Sequence, residues 1–154
     1  TAISIFGIAV IAGRLIVGYL VDKLWAPGVA AVAISLPVIG SLLLVGAPGF
    51  FIACVAAAFL GFAAGAELDL MAFLAAKYFG LLHYAKIYAV LYAALALASG
   101  VAPMIFATIF DITGSYNIGF LFGAGFFAIG ALMILALGKY PDIATETDKG
   151  KTNP

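Results

Sequence analysis

Gly13-Arg14-Leu15-Ile16-Val17-Gly18-Tyr19-Leu20-Val21-Asp22-Lys23 sets one arginine inside an apolar segment and ends that segment on an Asp-Lys pair. If the stretch is helical, Arg14 lies roughly 12 Å along the axis from Asp22, at about 1.5 Å per residue. A cation that far into an apolar segment needs a partner or a watery cavity, which makes Arg14 a candidate functional residue.

Outward from this stretch the chain stays apolar. Of its 154 residues 66% are hydrophobic and 9% charged, against about 25% charged in an ordinary soluble domain. Aliphatic and aromatic runs long enough to cross ~30 Å of hydrocarbon recur, and the strict alternation of a β-barrel strand is missing. The expected fold is therefore all-α, a polytopic membrane helical bundle. Seven basic and seven acidic residues cancel, which argues against nucleic-acid binding. The single cysteine, Cys54, permits no internal disulfide and no cysteine metal cluster.

Five transmembrane helices are expected within a bundle over 1–138, at about 1–21, 28–45, 50–76, 87–110 and 118–138, followed by a polar, disordered tail over 139–154. Trp25 suits the headgroup belt, and Pro27 the first turn of the second helix. Pro37 predicts a kink, and Gly100 with Pro103 a bend. The short turn from Gly46 to Gly49 makes the second and third helices antiparallel neighbours. Ser115 or Asn117 is expected to cap the fifth helix. Ala57, Gly61 and Gly65, and again Gly119 and Gly123, form ladders of small residues for close helix contact.

The chain opens on Thr1 inside an apolar run with no basic leader or cleavage site, so it reads as the middle of a longer protein, entered just after an external loop. Lys23, Lys77, Lys86 and Lys139 fall at alternate connections, while the turns near Pro48 and Gly114 carry no Lys or Arg. The Lys-bearing side, with the C-terminus, is thus expected to be cytoplasmic. An odd number of helices with a cytoplasmic end suits a six-helix unit lacking its first helix.

Glu67 and Asp69 lie ten and eight residues before Lys77, roughly 15 and 12 Å along a helix. That matches the depth of Arg14, so an arginine–carboxylate pair across two helices is expected, with either carboxylate. The two acids are about 200° apart around the helix, so they cannot face one neighbour. Asp69 continues the Gly61 and Gly65 face and reads as the helix-contact member, Glu67 as the more exposed. Tyr84, Tyr88 and Tyr92 recur every four residues on one helix face; their hydroxyls suit a polar path, with Tyr84 also suited to an aromatic belt. His83 reads as a solvated loop residue. No phosphate loop, nucleophile with a base, or metal-ligand spacing is present, so neither an enzyme nor a cofactor or metal is expected.

Gly18-Tyr19-Leu20-Val21-Asp22-Lys23 resembles the G-x-L-x-D-[RK] loop signature of the major facilitator superfamily, which lies between the second and third helices of each six-helix half. Trp25-Ala26-Pro27 replaces the usual basic ending, so the front of the motif is what matches. Lys77-Tyr78-Phe79-Gly80 and Phe110-Asp111-Ile112-Thr113-Gly114-Ser115-Tyr116 resemble the tenth-to-eleventh and eleventh-to-twelfth connections of bacterial members. The resemblance implies helices eight to twelve of a twelve-helix transporter, partnered by an N-terminal half, whose halves rock about a central site. It implies a gating motif of Gly18, Asp22, Lys23 and Lys86, in which Asp22 caps the start of helix eleven near Lys86 and Gly18 lets helices approach closely. Gly13-Arg14 is similar to the helix-eight pair of monocarboxylate and oxalate/formate transporters, where the arginine contacts the substrate carboxylate. Oxalate-type members also rely on a lysine on helix eleven, and the fourth helix here offers Tyr88 and Tyr92 instead.

The reading that follows is a piece of a secondary transporter in a bacterial inner membrane. It would move a small organic anion by alternating access, coupled to a proton or counter-solute. Arg14, Glu67, Asp69, Tyr88 and Tyr92 are its candidate substrate or proton-coupling residues. The alternative is a non-transport helical subunit that uses the same charges only to hold helices together.

Overall fold

The computed structural model describes residues 2–46 and 49–138. The tail expected over 139–154, like Thr1 and the middle of the Gly46–Gly49 turn, lies outside the described residues. Within them the chain forms five helices: α1 (Ala2–Lys23), α2 (Ala26–Leu43), α3 (Phe50–Phe79), α4 (Tyr84–Thr113) and α5 (Asn117–Leu135). All five are long and apolar enough to cross a membrane, and the protein is an integral membrane bundle. The helices run two to three residues past several expected ends. At about 1.5 Å per residue the thirty residues of α3 and of α4 reach ~45 Å, longer than a bilayer core, so both must tilt or project.

The local chemistry explains the starts and stops. Pro27 sits in the first turn of α2, where its missing N–H costs nothing. Gly114 ends α4 in the left-handed conformation, φ +66°, and its N–H donates to the Phe110 carbonyl. The start of α5 differs from expectation. Tyr116 occupies the cap position, and neither Ser115 nor Asn117 does. The Ser115 hydroxyl still accepts the Asn117 N–H at 3.2 Å, while the side chain of Asn117 is committed elsewhere. Its side-chain carbonyl accepts the Gly46 N–H at 3.0 Å and ties the α2–α3 turn to the start of α5. At the opposite end the Tyr78 hydroxyl donates to the Gly138 carbonyl at 2.8 Å, tying the end of α3 to the end of α5. Alternate connections therefore share an end, and the end with Tyr78 carries Lys23, Lys77 and Lys86. Helical structure continues unbroken across Pro37 and Pro103.

The centre of the bundle is α3. It packs most extensively on α1 and on α2, while α2 also covers α5. Helices α2 and α3 form the expected hairpin, with Gly40 against Ala56 on either side of the turn. Helices α1 and α3 run parallel, since Phe6 meets Gly61 and Val10 meets Gly65 with numbers rising together. The core lies where α1, α2 and α3 meet, and it is built from Val17, Val21, Ala26, Ala30, Ala33, Ala66 and Leu70. Small side chains dominate it because hydrocarbon lipid supplies no hydrophobic drive between helices, so close backbone packing must hold them. In contrast α4 has no buried residue and touches α3 and α5 lightly.

Candidate functional site

Three glycines set the position of the charges. A methyl group built on Gly13 would lie 2.0 Å from the Phe62 carbonyl oxygen, on Gly65 2.0 Å from that of Val10, and on Gly61 2.5 Å from that of Phe6. Backbone thus lies directly on backbone along the α1–α3 crossing. The ladder expected from Gly61 and Gly65 is the contact surface, and its counterpart on α1 is Gly13, the residue before Arg14. The second ladder is occupied differently: Gly119 and Gly123 receive the Phe106 ring of α4.

Just beyond this crossing, Arg14 Nε donates to Asp69 Oδ2 at 3.1 Å. The partner of Arg14 is therefore Asp69, not Glu67, because Asp69 continues the glycine face toward α1. Both side chains stay open, at 55% and 40% of their surface. Asp69 also borders a cleft of about 120 Å³ that runs between α1 and α3 past Gly18 toward the basic end. At Gly18, where close approach is expected, nothing among the described residues lies within 4 Å of a methyl placed there. Its missing side chain leaves the cleft open instead.

Glu67 faces away from the pair. It lines a cavity of about 530 Å³ bounded by α2, α3, α4 and α5, and it makes no hydrogen bond or ion pair among the described residues. Tyr84, Tyr88 and Tyr92 stack in sequence on α4, with centroids 5.5 and 6.2 Å apart. Their hydroxyls are unbonded among the described residues, and Tyr92 is half exposed. The structure does not bring them to Arg14, since α3 contacts both α1 and α4 while those two do not meet.

The same separation bears on the expected gate. Asp22 does not reach the start of α4, whose first turn has no side-chain cap. Neither Asp22 nor Lys86 has an ion-pair partner among the described residues. Lys23 turns back on its own helix, where its ammonium donates to the Tyr19 hydroxyl and lies 4.4 Å from the ring centre. Lys77 lies over the Phe73 ring. The ties that the sequence did not announce, Gly46 to Asn117 and Tyr78 to Gly138, join groups 71 and 60 residues apart. Among the described residues no group of His, Cys, Asp and Glu is placed to hold a metal ion.

In a comparison with protein families, the family described as Major Facilitator Superfamily matches residues 1–153. No curated protein and no solved structure matches the chain.

Proposed function

The chain belongs to the major facilitator superfamily, whose members are membrane transporters of small solutes, and on that premise we propose that it supplies helices eight to twelve of a secondary transporter. Its solute is a small organic anion of the monocarboxylate kind, moved by alternating access with coupling to a proton or counter-solute. The basic end is read as cytoplasmic, in a bacterial inner membrane. The other half of the transporter is its partner.

One observation carries this reading: a half-open Arg14–Asp69 pair sits deep in two apolar helices. Facing lipid, such a pair is costly. Facing a water-filled cavity between two halves, it is a receptor for charge. Asp69 holds Arg14 through Nε alone, and the two terminal guanidinium nitrogens make no bond among the described residues. Those nitrogens present the fork that matches a carboxylate. An arriving anion would share the guanidinium with Asp69. Tyr88 and Tyr92, which the bundle does not bring to Arg14, offer hydroxyls from α4 further along the solute's path. In this scheme Asp22, Lys23 and Lys86 act at the inner gate.

Uptake of a labelled monocarboxylate by the whole transporter tests it. Arg14→Ala should reduce uptake by about tenfold or more with expression intact, as expected for losing a charge-assisted bidentate contact. A paired variant, Arg14→Met with Asp69→Leu, separates this from a purely structural pair. It should recover stability without recovering uptake. Uptake retained in either variant removes the organic-anion assignment.

A further inference from the structure

The cavity behind α3 does not belong to the Arg14 site. It runs along one stripe of α3 from Glu67 through Leu74 to Tyr78, a span of about 16 Å at 1.5 Å per residue. Ile34 of α2, Leu91 of α4 and Ile134 of α5 form its other walls, and the Tyr78–Gly138 bond closes one side at the basic end. Among its lining residues Glu67 and Tyr78 alone carry polar side chains, and none is Lys, Arg or His. A carboxylate therefore sits at the deep end of a hydrocarbon-walled chamber with no cation of the described chain to meet it.

We propose that this cavity is a second ligand site, which takes a hydrophobic organic ammonium with its charge on Glu67 and its apolar body between α3, α4 and α5. The chemistry selects that class. An inorganic cation would need several oxygen ligands, and the walls supply no carboxylate beyond Glu67. A neutral lipid chain would fill the volume but leave the carboxylate unmatched in hydrocarbon. An anion is repelled. An ammonium attached to an aryl or alkyl body satisfies both parts, and about 530 Å³ falls in the range of small-molecule sites. Met71, on the same stripe, gives the wall a soft, adaptable side chain. The site differs from the Arg14 site in position and in sign, so either can fail without the other.

The test uses the purified chain in nanodiscs of zwitterionic lipid with two photoreactive probes: an azidophenyl-butylamine, charged at neutral pH, and the matching azidophenyl-butanol. Illumination followed by peptide mapping should show saturable amine labelling around Leu74–Tyr78 and Ile134, about tenfold stronger than with the alcohol. Glu67→Gln should remove that preference and leave alcohol labelling unchanged, which also reports that the cavity still forms. Asp69→Asn should leave amine labelling intact. Equal labelling by amine and alcohol would mean partition into an apolar or lipid-filled space and would overturn the proposal. So would an unchanged preference in Glu67→Gln, or amine labelling concentrated in a separate cavity of about 600 Å³ between α4 and α5, lined by Phe106 and Phe126.

Discussion

The α1–α3 crossing and the seat of α4 are built on opposite plans. At the crossing Gly13, Gly61 and Gly65 carry no side chain, and the helices meet main chain to main chain, with the Ala9 methyl beside Gly61. At α4 long side chains stand between the helices and leave space. The helix has no buried residue, a cavity of about 600 Å³ lies along it, and one of about 530 Å³ reaches it at Leu91. The first arrangement has essentially one register, because a carbonyl fitted over a glycine cannot slide by a residue without meeting a Cβ. The second has slack. A charged pair that must keep its geometry is found just beyond the rigid contact, and the ligand-sized spaces are found beside the loose one.

Breaking the rigid side should have the largest effect. Gly65→Leu drives a branched side chain into the Val10 carbonyl, where even a methyl would lie at 2.0 Å. Backbone cannot yield as a flexible side chain can, so the cost should be about 3 kcal/mol or more. The expected result is loss of monodisperse folded protein in detergent, together with loss of the Arg14–Asp69 pair. A thermal unfolding midpoint within a degree or two of wild type would show that α1 can move aside, and would undo the distinction between the two regions.

Much of this division could be read from the chain, and the parts that could not share one physical reason. The five helices follow from apolar length, and Glu67 and Asp69 were separated by helix geometry alone, since 200° of rotation cannot be shared by one neighbour. Asp69 as the partner of Arg14 follows from the glycine face it continues. The choice was open only because register between two helices far apart in sequence is set by packing. Gly18 shows the limit. Glycine in an apolar helix fits both close approach and open space, and only the position of α3 decides between them. Asn117 is similar: a residue suited by composition to cap α5 instead reaches the Gly46 N–H, a partner supplied by another loop.

A milder change probes the edge of the loose region. Tyr78→Phe removes a hydroxyl that joins α3 to α5 at the basic end and helps close the cavity of Glu67. Such a hydrogen bond contributes about 1 kcal/mol. The expected outcome is a modest fall in stability, with faster hydrogen exchange confined to the last turns of α3 and α5. Exchange spreading to Gly13 or Gly65 would mean that the two regions unfold as one unit and that the difference in packing has no energetic counterpart.

The smallest expected effect gives the finest comparison, because it repeats the glycine test where nothing is in the way. Gly100 lies on exposed α4, and no atom comes within 4 Å of a methyl built there. Alanine is the better helix former by about 0.5–1 kcal/mol, so Gly100→Ala should raise the unfolding midpoint slightly, opposite in sign to any substitution at Gly65. Pro103 already deprives this part of α4 of one backbone hydrogen bond, so glycine three residues earlier leaves the helix free to flex there. If α4 moves during the transport cycle, Gly100→Ala should slow uptake by the whole transporter even as it stabilises the bundle. If stability rises and uptake is unchanged, the slack around α4 serves its cavities and not its motion.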